Sequence, residues 1–133
     1  MSSSEKVKKV FSTKFYELHG VRVLELIADS TKLQTYNDAV DLVGKTFENR
    51  ATMIVIPVEC LDDEFFRLKT RIAGELIQKF VQYRRHLVIV GDISRFLAES
   101  SALRAFVAES NRGKEVWFLP SRAELDDRLA RAV

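Results

Sequence analysis

Short apolar blocks alternate with polar segments along the chain, and the period within each block predicts one secondary-structure element. Residues 15–18 and 21–27 are rich in β-branched and apolar side chains and are separated by the pair His19-Gly20. Glycine favours the tight turn of a hairpin because it adopts positive φ without steric cost. The pattern therefore predicts a β-hairpin at the start of the fold.

Two helices are predicted in the middle of the chain. Thr35 is followed three residues later by Asp38, as in a capping box, and apolar residues recur behind it at helical spacing. Residues 62–64 are acidic and suit a second helix start, because the helix dipole favours negative charge there. That helix carries a broad apolar stripe and is expected to end at the cationic residues 84–86.

Two further helices are predicted near the C-terminus. Ser100 or Ser101 caps the first of them, and Gly113 suits the left-handed position that closes it. Ser121 and Glu124 form a capping box that opens the last helix. Local signals therefore bound both helices.

Three short, continuously apolar runs predict buried central strands at residues 53–58, 87–90 and 116–119. Strands that are separated by helices need crossover connections, which lay the strands side by side in parallel. The hairpin supplies the antiparallel pair. The expected fold is α/β, with a single mixed, mostly parallel sheet flanked by helices in the order ββαβαβαβα.

Composition narrows the class of protein. The chain has 133 residues, of which 47% are apolar and 30% are charged, as expected for one compact domain. No apolar run reaches the ~18 residues that a membrane span needs, and the polar N-terminus is unlike a secretory signal. The single cysteine, Cys60, excludes an internal disulfide. We therefore expect a cytoplasmic protein that does not enter a membrane.

Positive charge is concentrated at the N-terminus. Residues 1–14 contain four Lys and one Glu, a balance of +3, whereas the whole chain carries +2. We expect residues 1–14 to form a basic, flexible arm and residues 15–133 to form a single α/β domain. The arm is an alternative binding site for a polyanion. Nucleic acid is disfavoured as a partner, because no aromatic or arginine cluster accompanies the lysines.

The usual catalytic motifs are missing from the sequence. Gly44-Lys45-Thr46 looks like the end of a phosphate-binding loop, but Ala39 stands where that motif needs a glycine. Cys60, His19 and His86 have no nucleophile-base spacing and no zinc-ligand spacing. We interpret Cys60 as a core residue and His86 as a charge at a helix end. The sequence therefore predicts no catalytic residue, no metal site and no cofactor.

One cluster of cations is a candidate binding site. Arg67, Lys69, Thr70 and Arg71 lie between a predicted central strand and an amphipathic helix. If the regular helix begins near Thr70, its free amides and the three cations form an anion pocket. The alternative is that the cations are the solvated face of the helix.

A second candidate follows the next strand. Gly91, Asp92 and Ser94 lie at its carboxyl end, and ligands of open α/β sheets gather at that edge. The alternative is a plain exit turn. We expect the Thr70 and Asp92 segments to lie on the same edge of the sheet.

Three stretches, residues 65–80, 90–94 and 109–113, resemble a family of bacterial proteins known as domain of unknown function 4180. The resemblance extends from about residue 16 to the C-terminus. The family pattern has Asp at the position of Arg67 and Gly at the position of Arg71, so the chain departs from it at two candidate residues. The resemblance implies an architecture and no activity.

The order of strands and helices is also similar to that of the sulfate transporter and anti-sigma factor antagonist (STAS) domain. In that family a partner kinase phosphorylates a Ser or Thr where the second helix begins, and the matching position here is Thr70. The Asp-Ser or Ser-Ser pair of that family is replaced by Lys69-Thr70. The resemblance therefore implies a phosphorylation site at Thr70 without its usual neighbour.

Two functions are carried forward from the sequence. The first is a non-enzymatic regulatory or binding module with a STAS-like fold, which contacts a protein partner through residues 67–75 and 91–94. The alternative is a small-molecule-binding protein or enzyme, with Asp92 and Asp62 or Asp63 around a pocket at the carboxyl edge of the sheet. A homodimer is a further alternative if the apolar stripe of the second helix is broader than one sheet can cover; its large side chains are Phe65, Phe66, Phe80 and Tyr83.

Overall fold

A computed structural model describes residues 9–29 and 31–132, which form one five-stranded mixed sheet flanked by helices. The strands are β1 (Thr13–Leu18), β2 (Val21–Leu26), β3 (Met53–Pro57), β4 (His86–Val90) and β5 (Val116–Leu119). The helices are α1 (Tyr36–Asn49), α2 (Ile72–Gln82), α3 (Ser94–Glu99), α4 (Ser101–Arg112) and α5 (Arg122–Ala132). The strands lie in the sheet in chain order; β1 is antiparallel to β2, and each later neighbour is parallel.

The two faces of the sheet are covered differently. Each parallel crossover steps to the next strand in the same direction, so right-handed crossovers place their helices on one face. Leu24, Ile54 and Ile89 belong to the core on that face, with side chains from α1, α2 and α4. The opposite face is covered by α5, whose Leu125 and Leu129 pack over the sheet.

The fold begins earlier than the sequence suggests. Phe11 is only 4% exposed and belongs to the main core, and the Lys9 ammonium lies 2.8 Å from the Asp38 carboxylate. β1 begins at Thr13. The expected arm over residues 1–14 is therefore too long, because residues 9–14 are part of the packed domain. Residues 1–8 lie outside the described residues.

The connection from β3 to α2 differs from the sequence prediction. It consists of three 3-10 turns, Val58–Cys60, Asp63–Phe66 and Leu68–Thr70, followed by Arg71 at a φ of 65°. The expected helix start at residues 62–64 is wrong, since α2 begins at Ile72, close to the alternative start near Thr70. These turns keep the candidate cations out of the regular helix.

The end of α2 also differs from the sequence prediction. The helix stops at Gln82, Arg84 takes a left-handed φ of 59°, and His86 is the first residue of β4. The interpretation of His86 as a charge at a helix end is therefore wrong, because strand pairing begins at this residue.

The connection from β4 to β5 contains an element that sequence patterns did not predict, the six-residue helix α3. The Ser100 hydroxyl then caps α4 by accepting from the Leu103 amide at 3.0 Å. Gly113 has a φ of −93°, so the expected left-handed cap is wrong. The side-chain amide of Asn111 instead holds Phe118 of β5, accepting from its N–H at 2.7 Å and donating to its carbonyl at 3.1 Å.

Most of the apolar stripe on the second predicted helix is covered within the chain. Phe65, Phe66 and Phe80 are each at most 3% exposed, whereas Tyr83 is 41% exposed. Self-association stays a prediction, which light scattering tests. In the described part of the chain, every helix is too short or too polar to cross a membrane.

Candidate functional site

The connections that follow β3 and β4 lie side by side at the carboxyl edge of the sheet. Asp63, after β3, accepts from the Arg95 guanidinium of α3 at 2.8 Å. Gly91 follows β4 directly, and a Cβ placed on it would lie 2.7 Å from Cγ2 of Val58. The two segments named from the sequence therefore meet at one edge.

Thr70 is half-buried and holds the last 3-10 turn together. Its hydroxyl lies 2.8 Å from the Arg67 carbonyl and 2.9 Å from the Glu64 carbonyl, and it accepts from the Ile72 amide at 3.3 Å. Arg67 pairs with the Glu64 carboxylate. The hydroxyl and one of the cations are thus already used within the segment.

The four cluster residues do not line one common pocket. Arg67 and Lys69 line a cavity of about 370 Å³ against α3 and α4, in which Phe66 and Phe96 stack with their ring centroids 4.5 Å apart. Thr70 and Arg71 lie outside that lining. This cavity has two cations at its rim and an aromatic floor.

Asp92 and Ser94 are hydrogen-bonded to each other at the start of α3. One Asp92 carboxylate oxygen accepts from the Ser94 hydroxyl at 2.6 Å and from the Ser94 amide at 2.9 Å. These hydrogen bonds hold the pKa of the exposed Asp92 carboxyl below its usual 3.8. This geometry is that of an exit turn after a strand. Gly91 lines the cavity described next, whereas Asp92 and Ser94 do not.

An open cleft of about 440 Å³ lies where the carboxyl ends of β2, β3, β4 and β5 face the start of α5. We call it the carboxyl-edge cavity. Its charged lining comes from four side chains: Lys14, Glu25, Glu59 and Arg122. Its apolar lining includes Ile27, Pro57, Val90 and Pro120.

Glu25 is the unusual member of this lining, because it is a carboxylate on a sheet residue that is only 5% exposed. Its Oε1 accepts from the Tyr16 hydroxyl at 2.5 Å and from the Arg122 guanidinium at 3.3 Å. Among residues 9–29 and 31–132, no hydrogen bond reaches Oε2. A buried carboxylate is costly unless it is paired and hydrogen-bonded. Tyr16 and Arg122 meet that need at Oε1, and Oε2 is open to the cavity.

Tyr16 serves as a hydrogen-bond donor to this carboxylate. Burial, together with the bond to Glu25, raises the pKa of Tyr16 far above its ordinary value of 10. The phenol therefore keeps its proton at neutral pH. Its donated bond fixes the position of Glu25 Oε1 from the neighbouring strand β1.

Sequence reasoning missed Glu25 although a signal was present. Residues 23–27 form an apolar run interrupted once, by Glu25, in a strand that lies between two others. The apolar neighbours in such a run predict that the charged side chain is buried. Buried charges mark functional sites more often than exposed ones do. Its partner Arg122 lies 97 positions away, so no local spacing reveals the pair.

Cys60 and His86 are both inward-facing. Burial raises the pKa of the Cys60 thiol to about 11, as befits a core residue. Burial, and then the nearby Arg128, lowers the pKa of His86 to about 4. Within the described ranges, no three His, Cys, Asp or Glu side chains are placed to hold a metal ion.

Comparison with known proteins identifies a family for the chain. The model of a family described as a domain of unknown function (DUF4180) matches residues 9–129. None of the curated proteins and none of the solved structures matches the chain. The resemblance seen in residues 65–80, 90–94 and 109–113 is confirmed by the family match.

Proposed function

The chain belongs to the DUF4180 family, whose description carries no activity, and from the geometry of its site we propose that it binds a small polar molecule in the carboxyl-edge cavity. The observation that carries the proposal is the buried Glu25 carboxylate, which faces this cavity with one oxygen bonded and the other open. Of the two functions considered from the sequence, this is the small-molecule alternative, centred on Glu25 rather than on Asp92.

The position and size of the cavity support binding. Ligands of α/β sheets lie outside the carboxyl ends of the strands, and the cavity lies at those ends. Its volume of about 440 Å³ falls within the range of roughly 300–1,000 Å³ that is usual for small-molecule sites. The cavity combines charged side chains with apolar ones, and binding sites for small molecules likewise combine an apolar surface with converging polar groups.

The cost of burying Glu25 also supports a functional role. Replacing a buried ion pair by apolar residues is often neutral or stabilising, so stability alone does not explain a carboxylate in the sheet. Glu25 is held by Tyr16 and Arg122, which come from different elements, so the site is assembled only in the folded chain. A ligand that donates to Oε2 would complete its hydrogen bonding.

A thermal-shift screen of nucleotides, phosphates, organic acids and amino acids tests the proposal. We expect at least one compound to raise the melting temperature, and Glu25→Gln to abolish the shift. Glu17→Gln, an exposed carboxylate on β1, is the matched control and should keep it. Arg122→Gln probes the same cavity from the exposed side, should Glu25→Gln not fold. A screen without a hit, or a shift that both cavity variants retain, would overturn the proposal.

A second candidate function is the regulatory module with a STAS-like fold, which binds a protein partner. It is favoured by the observation that the Thr70 hydroxyl ties together the turn that precedes α2. A phosphate on Thr70 would break those bonds and add about two negative charges beside Arg67, Lys69 and Arg71. The turn and the neighbouring cavity lined by Arg67 and Lys69 would then rearrange, which changes the surface offered to a partner.

Thr70→Glu and Thr70→Ala test this switch. We expect both to speed amide hydrogen exchange over residues 62–72 and to change capture of a partner by the full-length chain. Thr52→Glu, at an exposed threonine just before β3, is the control. If both Thr70 variants leave exchange and partner capture unchanged, the switch is abandoned.

A further inference from the structure

We infer that the molecule bound in the carboxyl-edge cavity is a small zwitterion of the amino acid type, with its ammonium group on Glu25 and its carboxylate on Arg122 and Lys14. This inference rests on the proposed function and adds the chemical class of the ligand. It is carried by the arrangement of the four charged side chains around an apolar wall.

At the Glu25 end of the cavity, the carboxylate can accept a further hydrogen bond from a charged donor. Glu25 Oε1 accepts two hydrogen bonds, but the one from Arg122 is 3.3 Å long, whereas charge-assisted bonds of this kind are typically about 2.7–2.9 Å. A carboxylate offers about four acceptor sites, so at least one of its oxygens is free to take a further donor. An ammonium group suits this position, because it donates several hydrogen bonds and is attracted by the negative charge of the carboxylate.

The outer side of the cavity calls for an anion. The Arg122 side chain is 51% exposed, and its single bond to Glu25 leaves most of its N–H donors free. Lys14 of β1 lies opposite Glu25 of β2 in the strand register, so the two side chains lie on the same face of the sheet. Arg122 is also the first residue of α5, where the helix dipole favours negative charge. A carboxylate placed here would lie within reach of two cations.

The charge balance selects a dipolar ligand over an ion of one sign. Among the residues that the structure describes, two cations and two carboxylates line the cavity, so their formal charges cancel. A ligand with a net charge would leave one half of this lining uncompensated, whereas a zwitterion pairs with both halves. Ile27, Pro57, Val90 and Pro120 then supply an apolar surface for the ligand's side chain.

Matched ligands test each half of the inference separately. Alanine, valine and leucine would each be titrated by calorimetry beside the N-acetyl form, which lacks the ammonium group, and the amide form, which lacks the carboxylate. We expect one free amino acid to bind at least about tenfold more tightly than both of its blocked forms. Its affinity should also fall as the pH rises through the pKa of its amine.

Variants assign each preference to a side chain. Glu25→Gln should remove the preference over the N-acetyl form, and Arg122→Gln should remove the preference over the amide. Glu17→Gln and Arg22→Gln, exposed residues of the same hairpin, are controls that should keep both preferences.

The outcomes separate this inference from the function on which it rests. Equal binding of a free and a blocked form would overturn the inference. So would a Glu25-dependent ligand that is not a zwitterion, and in both cases the proposed binding function stands. If no compound of any class binds, both are overturned.

Discussion

Gly91 and Val58 approach so closely that a Cβ placed on Gly91 would lie 2.7 Å from Cγ2 of Val58 and 2.9 Å from its Cβ. Gly91 also has a φ of 139°, which side-chain-bearing residues rarely adopt. Each residue directly follows a neighbouring strand, β4 for Gly91 and β3 for Val58. The close packing of these two connections, at which Gly91 lines the carboxyl-edge cavity, therefore requires a glycine at position 91.

Gly91→Ala should lower the free energy of unfolding by about 2–4 kcal/mol, because it adds backbone strain and a steric clash. Gly44→Ala is the matched control. Gly44 lies in α1, and a Cβ placed on it would have no atom within 4 Å outside the backbone of its own helix. That substitution should raise the free energy by about 0.5–1 kcal/mol through helix propensity. Urea unfolding of both variants measures the difference. A Gly91→Ala variant as stable as the parent would show that Val58 moves aside freely and that the φ carries no strain.

Asp38 should stabilise the fold only in its ionised form. Burial acts to raise the pKa of Asp38, but hydrogen bonds from Lys9, Gln34 and Thr35 outweigh it and hold the pKa below the usual 3.8. Asp38→Asn should therefore lower the free energy of unfolding by about 1–3 kcal/mol at neutral pH. Because the folded pKa is depressed, this difference should be full above pH 3.8 and shrink as the pH falls through the folded value. Urea unfolding across pH measures it, with Asp41→Asn, one turn further along α1, as the control.

His86 should weaken the fold over a different pH range. Its pKa lies near 4 in the folded chain and at the ordinary 6.5 when unfolded, so the unfolded chain binds the extra proton first. Stability should thus fall as the pH is lowered from 6.5 towards 4, by about 2–3 kcal/mol from this residue. His86→Gln should flatten that part of the curve. An imidazole that titrates near 6.5 by NMR would contradict the prediction.

Asn111→Asp should separate the end of α4 from β5. The carboxylate keeps the bond from the Phe118 amide but loses the donor to the Phe118 carbonyl and places negative charge beside that oxygen. We expect a loss of about 1–3 kcal/mol in the free energy of unfolding, together with faster amide exchange in β5. Asn37→Asp, exposed in the first turn of α1, should be close to neutral. Unchanged exchange at Phe118 would show that the Asn111 bonds contribute nothing.

Elements set by local chemistry were predictable from the sequence. The hairpin turn at His19 and Gly20 takes the positive φ that the sequence indicates, 50° and 83°. Helix α1 begins at the capping box, where the Thr35 hydroxyl accepts from the Asp38 amide at 3.2 Å. At the start of α5, the Ser121 hydroxyl accepts from the Glu124 amide. All three features depend on contacts between residues that are at most four positions apart.

Features set by distant contacts were not predictable in this way. The acidic residues 62–64 suit a helix start, but Asp63 is paired with Arg95 across the sheet edge, and the chain makes 3-10 turns there. Glu25 looks like one polar residue on a strand until Tyr16 and Arg122 are brought to it by β1 and α5. The edge of the sheet could be named from the strand order, and the charge in an apolar run marked Glu25, whereas its pairing with Arg122 could not be read from the sequence.

The Asn111 side chain has a consequence for how copies of this protein can join. The amides of Leu87 and Gly91 donate to the carbonyls of Glu115 and Leu119, so these two residues point their backbone groups towards β4. The backbone groups of successive strand residues point to alternate sides, so those of Phe118 point away from β4. The asparagine amide occupies both of those groups and imitates a sixth strand. A foreign strand therefore cannot pair with β5 at Phe118, because both outward backbone groups of that residue are already bonded.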